Sequence, residues 1–158
     1  RCSKTLNKLI LQKSLMGRYS YLRRMIGTPE DGEGVFFDRP HMSGSSFQQD
    51  DDTNEYKVKI LNEEEVKTDL QPPYDLIKCD IEGSELELLT NYKDLIKSTK
   101  YILLEWHSWQ YGKIGYSQIV DQLRNCNFVI LKSSPSIPCV GRNGEVGLLL
   151  AKNLSLES

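Results

Sequence analysis

Three carboxylates, Asp80, Glu82 and Glu85, crowd into the short stretch DIEGSE, and an acid and an imidazole follow at Glu105 and His107 in YILLEWH. A carboxylate can accept hydrogen bonds from hydroxyls, ligate a cation or move a proton, and imidazole is the natural base near neutral pH. Gathering acids at one point is unfavourable unless a cation, a donor-rich ligand or a helix N-terminus offsets the repulsion. Turn and cap geometry accounts for part of the pattern, because strand-to-helix turns use Asp, Ser and Gly for that alone. Ser84 already fills the cap, so the acids are in excess. The chain's other histidine, His41, sits in a polar loop.

The elements that must position these groups are legible in the same stretch, Tyr74–Tyr92. Ile77, Cys79 and Ile81 alternate with Lys78, Asp80 and Glu82, the period of a strand that sends its polar residues to one face. Gly83 breaks the strand. Ser84 and Glu87 have the spacing of a capping box, and Leu86, Leu89 and Tyr92 recur at helical spacing. The acids therefore stand at the C-terminal end of a strand, where open α/β sheets bind ligands. Tyr101–Leu104 is a fully apolar run, expected to be a strand buried on both faces and ending at Glu105-Trp106-His107.

Around this centre the patterns predict a short amphipathic helix from Lys4 to Met16, then strands at Tyr19–Ile26, Val35–Phe37 and Tyr56–Leu61. Arg39–Asn54 reads as a polar loop, in which Asp50-Asp51-Asp52 lacks the glycine and ligand periodicity of a cation loop. Gly32-Glu33-Gly34 reads as a hairpin-like turn. A helical turn over Glu63–Leu70, closed by Pro72-Pro73, precedes the central strand, and Lys93–Lys97 continues helical after it. A helix over Tyr116–Asn125, a strand at Phe128–Leu131, a turn-rich loop from Pro135 to Gly144 and a strand at Gly147–Ala151 complete the chain. This order predicts a doubly wound, mostly parallel α/β sheet with an antiparallel edge formed by the C-terminal strand.

The 158 residues have the length of one domain, and 39% hydrophobic with 27% charged content is ordinary for a globular chain. A net charge of −2 provides no basic field for nucleic acid. The four cysteines (Cys2, Cys79, Cys126, Cys139) show no C-x-x-C pair or Cys/His metal spacing, which points to a reducing, cytoplasmic setting. No run is long enough to span a bilayer, and no signal peptide is visible at Arg1. Asn153-Leu154-Ser155 matches a glycosylation acceptor by pattern only. The chain opens on Arg1 in mid-pattern and reads as a fragment.

DLIKCDIEGSELELL resembles the signature of the FkbM-type S-adenosylmethionine-dependent methyltransferases, a strand of the form D-x-I-K-x-D-x-E-G-x-E followed by a Leu-rich helix. YILLEWH fits that family's next strand, and GTPEDGEGVFFD with the later SGSS fits the segment before it, so the likeness spans Leu6 to Asn153. The resemblance implies a Rossmann-like class I methyltransferase sheet, with this chain as a single partial domain (1–158) supplying its third to seventh strands. It further implies S-adenosylmethionine (SAM) as cofactor and a hydroxyl on a sugar or other small molecule as acceptor. The glycine-rich cofactor loop and the ribose-binding acid it implies are not found, since no G-x-G follows a strand. The absent first strand would lie beside Tyr74–Ile81. That edge would then be unpaired, open to a second copy of the chain, and SAM affinity would be low.

Methyl transfer needs acceptor and methyl aligned, a proton removed and water excluded. The resemblance places Asp80 and Gly83 against the cofactor. It makes Asp80, Glu82 and His107 the catalytic candidates, with Glu105 and Trp109 as acceptor contacts. Trp109 and Tyr111 could wall the pocket by stacking. Asp80, Glu82, Glu105 and His107 also suit a divalent cation by ligand type, but sequence supplies no geometry, and no metal ligand is assigned. Two other functions compete. One is a metal-dependent sugar-nucleotide transferase using Asp80-Ile81-Glu82, which lacks a basic phosphate cradle. The other is a non-catalytic α/β remnant that needs a partner.

Overall fold

The computed structural model describes residues 24–28, 32–38, 54–108, 115–139 and 143–156. Within them the chain forms β1 (Glu33–Asp38), β2 (Asn54–Lys59), α1 (Glu63–Asp69), β3 (Tyr74–Cys79), α2 (Glu85–Asn91) and α3 (Lys93–Lys97). There follow β4 (Thr99–His107), α4 (Gly115–Asn125), β5 (Phe128–Ser133), β6 (Ile137–Pro138), β7 (Glu145–Asn153) and a 3₁₀ turn at Leu154–Leu156. The helix expected over Lys4–Met16, His41, the Asp50–Asp52 run, Trp109 and Tyr111 lie outside the described residues, as does most of the strand expected at Tyr19–Ile26.

The fold is α/β with a mixed sheet in the order β3-β4-β7-β5, and β6 pairs with β7. Strands β3 and β4 are parallel, from Tyr74↔Thr99 to Cys79↔Leu104, because α2 and α3 carry the chain back between them. Strand β7 follows β5 without a helix and runs antiparallel to both its neighbours, β4 and β5. The antiparallel strand is therefore not at the sheet edge, as its place in the sequence suggested. The reason is composition. Leu149, Ala151 and Asn153 of β7 are essentially buried, whereas β5 exposes Val129 and Leu131 and suits an edge. The short β6 lies inside the stretch expected to be loop.

A second sheet pairs β1 with β2 antiparallel, from Glu33↔Lys59 to Asp38↔Asn54. Gly32, at φ 72°, stands just before β1, while Glu33 and Gly34 already belong to the strand and not to a turn. Met25 bridges Ile60 in parallel. Arg24 grips Glu65 of α1 with two hydrogen bonds, at 2.8 and 3.0 Å, and holds this segment beside the larger sheet.

The core lies between that sheet and α2, α3 and α4, where Leu89, Tyr92 and Ile96 meet Ile102 and Leu104. Among the described residues only one sheet face is covered in this way. Ile102 and Leu104 are fully buried, but Tyr101 is 37% exposed and Leu76 53%, so the apolar run of β4 is not buried on both faces as its composition suggested. At the far end, buried Asn153 donates its side-chain amide to the carbonyls of Lys97 (2.9 Å) and Thr99 (3.1 Å). That nitrogen is committed to fastening β7 to the start of β4, so the glycosylation pattern there has a structural use. None of the described helices is long and apolar enough to cross a membrane.

Candidate functional site

Parallel pairing of β3 and β4 decides what meets at their C-terminal ends. The register Cys79↔Leu104 brings Asp80, just past β3, to the level of Glu105, and His107 follows two positions on along the same face of β4. One ligand atom from each of Asp80, Glu105 and His107 falls within 4.8 Å of the other two. Asp80 is exposed, Glu105 is half-buried, and His107 is only 4% exposed. Lys78 Nζ is 4.0 Å from Asp80, an exposed and loose contact.

The turn after β3 shapes the rest. Glu82 (φ 56°) and Gly83 (φ 106°) are consecutive left-handed residues. Glycine takes that conformation freely, but for Glu82 it is strained by about 1–3 kcal/mol, a feature that tends to gather at working sites. The expected capping box does not form. Ser84 stands at the N-cap of α2 with φ −94° and ψ 16°, away from the extended shape that aims a serine hydroxyl at the helix, and it makes no side-chain cap bond. The Glu85 carboxylate folds back instead and accepts the Gly83 N–H at 3.1 Å. The Gly83 N–H is therefore engaged within the turn itself.

Glu85 is fully buried, and the same oxygen lies 2.9 Å from His107 Nδ1. Its second oxygen, Oε2, has no hydrogen-bond partner among the described residues. On the other side of the ring, His107 Nε2 lies 3.9 Å from Glu105. Burial disfavours the charged imidazole, but the hydrogen bond and charge of Glu85, joined by Glu82 and Glu105, more than offset it and hold the His107 pKa above its ordinary value.

The structure thus brings Asp80, Glu105 and His107 together. It leaves Glu82 beside them, as a charge felt by His107. Glu85 is the residue whose role the sequence reading missed. Its signal was present, because Glu85, Leu88, Leu89 and Tyr92 share one helical stripe, and a charge on a buried stripe requires a partner. The partner is 22 residues away in sequence.

A cavity of about 330 Å³ runs along the outer edge of β3, lined by apolar side chains including Ile26, Leu61, Ile77 and Leu95. It contains none of these acids, and no described strand pairs with that edge.

Comparison with known families now fits the site. The family model described as the methyltransferase FkbM domain matches residues 23–130, a span that includes both strand ends and every residue of the cluster. The chain belongs to the FkbM methyltransferase family. No curated relative and no solved structure matches it.

Proposed function

We propose that the chain forms the acceptor side of a SAM-dependent O-methyltransferase acting on a hydroxyl of a sugar or other small molecule. The observation that carries the reading is the convergence of Asp80, Glu105 and His107 at the ends of two parallel strands, inside the family match. The order β3-β4-β7-β5 is then read as the fourth, fifth, seventh and sixth strands of a Rossmann-like class I sheet, and the whole chain as part of one domain.

The residues present fit one wall of a SAM site, the acidic edge at Asp80–Gly83. The glycine-rich wall is not among them. Gly34, the nearest approach to a G-x-G, lies within β1 and packs against the Met25 side chain. Bound SAM would supply an electrophilic methyl group. The chain's own groups would prepare the acceptor. Asp80, Glu82 and Glu105 accept hydrogen bonds from its hydroxyls and orient it. His107 Nε2 takes the proton of the reacting hydroxyl, while Glu85 at Nδ1 holds the ring and stabilises the imidazolium that results. The apolar cavity beside β3 is where a further strand, from this protein or from a second copy, would dock.

The test is made on protein carrying the complete cofactor site. Asp80→Asn and His107→Gln should each lower kcat by about 10²–10⁴, with an unchanged unfolding midpoint for the exposed Asp80→Asn and a lowered one for His107→Gln, which strips the buried Glu85 of its partner. Normal methylation by both variants would sink the assignment. The outer edge of β3, with which no described strand pairs, favours a second reading, a partner-dependent remnant. In that case Asp80→Ala and Glu82→Ala would leave partner binding intact, with no activity to lose.

A further inference from the structure

We propose that Asp80, Glu105 and His107 form a binding site for one divalent cation of the Mn²⁺ or Zn²⁺ type, with Glu85 as the positioning residue behind the histidine. Two carboxylate oxygens and one imidazole nitrogen are a mixed donor set. Purely hard ions prefer all-oxygen shells and purely soft ions prefer thiolates, so this set suits the borderline divalent metals. The distances are compatible. Two ligands of one such ion, each about 2.0–2.2 Å from it, lie about 3–4 Å apart. His107 Nε2 and Glu105 are already at 3.9 Å. All three ligand atoms lie within 4.8 Å of one another, and a rotation of the exposed Asp80 carboxylate, which among the described residues has only the 4.0 Å contact with Lys78, would draw them closer.

The independent observation is Glu85. Metal-bound histidines typically hand their second nitrogen to a carboxylate, which fixes the ring and strengthens the ligand. Glu85 does this, at 2.9 Å from Nδ1, and it is 0% exposed. It is also under-neutralised, because Oε2 has no hydrogen-bond partner among the described residues. A buried carboxylate with an unsatisfied oxygen is costly, and a dication on the far side of the imidazole is the kind of charge that relieves it. Three protein ligands also leave coordination positions open for the oxygens of a hydroxyl-bearing ligand. An ion and a proton exclude each other at Nε2, so proton transfer to His107 belongs to the ion-free chain.

The inference does not need methyl transfer, and the test is made without it. The full chain is titrated with Mn²⁺, and the free ion is followed by electron paramagnetic resonance. The expected result is saturable binding of one ion per chain, displaced by Zn²⁺. Asp80→Asn and Glu105→Gln should each weaken it at least about tenfold, and Glu85→Gln by about ten- to a hundredfold. Both Asp80 and Glu105 reach solvent, so unfolding midpoints measured without metal should match the parent and exclude a folding defect. No saturable binding, or binding unchanged in both Asp80→Asn and Glu105→Gln, overturns the proposal. Protein carrying the complete cofactor site that binds Mn²⁺ here and never methylates keeps the site but removes the methyltransferase reading. A chain that methylates without binding Mn²⁺ does the reverse.

Discussion

At Gly147, on β7 opposite Trp106, there is no room for a methyl group: a Cβ would come within 2.7–2.8 Å of the indole ring. The indole cannot easily yield, because its other side meets Tyr116 of α4, ring centroids 5.0 Å apart at 42°. Trp106 immediately precedes His107, so this contact helps fix where β4 delivers the imidazole. Gly147→Ala should lower stability by about 1–3 kcal/mol through overpacking, measured as a shift in chemical denaturation. The site's other neighbour, Cys79, is an inert thiol. Burial, followed by the charges of Glu85 and Asp80, drives its pKa far above the usual thiol range.

At the scale of the element, α2 carries one charge that serves the site and another that weighs on the fold. Glu85 is committed to Gly83 and His107. Glu87 is partly buried, and that burial pushes its carboxyl pKa up. With the folded pKa above the unfolded one, its contribution to stability is full below the ordinary carboxylate range and is lost as pH rises through the raised value. Glu87→Gln stays neutral throughout. The variant should therefore melt above the parent at pH 7, and the gap should close near pH 4, the ordinary range for a glutamate. A gap that widened on acidification would reverse the sign.

At the scale of the whole molecule, the helices among the described residues leave one sheet face open. Leu76 is 53% exposed, Leu148 42% and Tyr101 37%, and β3 has no described strand on its outer side. An apolar face beside an unpaired edge favours association. Sedimentation of the chain should show self-association that rises with concentration. Leu76→Lys should weaken it without loss of helix or strand signal, because the substituted side chain already reaches solvent. A chain that stays monomeric at all concentrations would leave that face without a partner of its own kind.

The sequence by itself determined the elements around the site and the residue types within it. Period-two alternation marked β3, helical spacing marked α2 and α4, and the break at Gly83 placed the acids at a strand end. These signals are local, carried by neighbours a few positions apart. The DxEGxE motif also pointed to the family that the match over residues 23–130 shows. What only the tertiary structure decided was non-local. The place of β7 inside the sheet depended on competition between strands for burial, which sequence order does not encode. The failed cap at Ser84 depended on backbone angles after Glu82. The clustering of Asp80 with Glu105 and His107 required the parallel register of β3 and β4. The pairing of Glu85 with His107 required α2 to be laid against the end of β4, so a residue that read as a surplus acid became the buried support of the site.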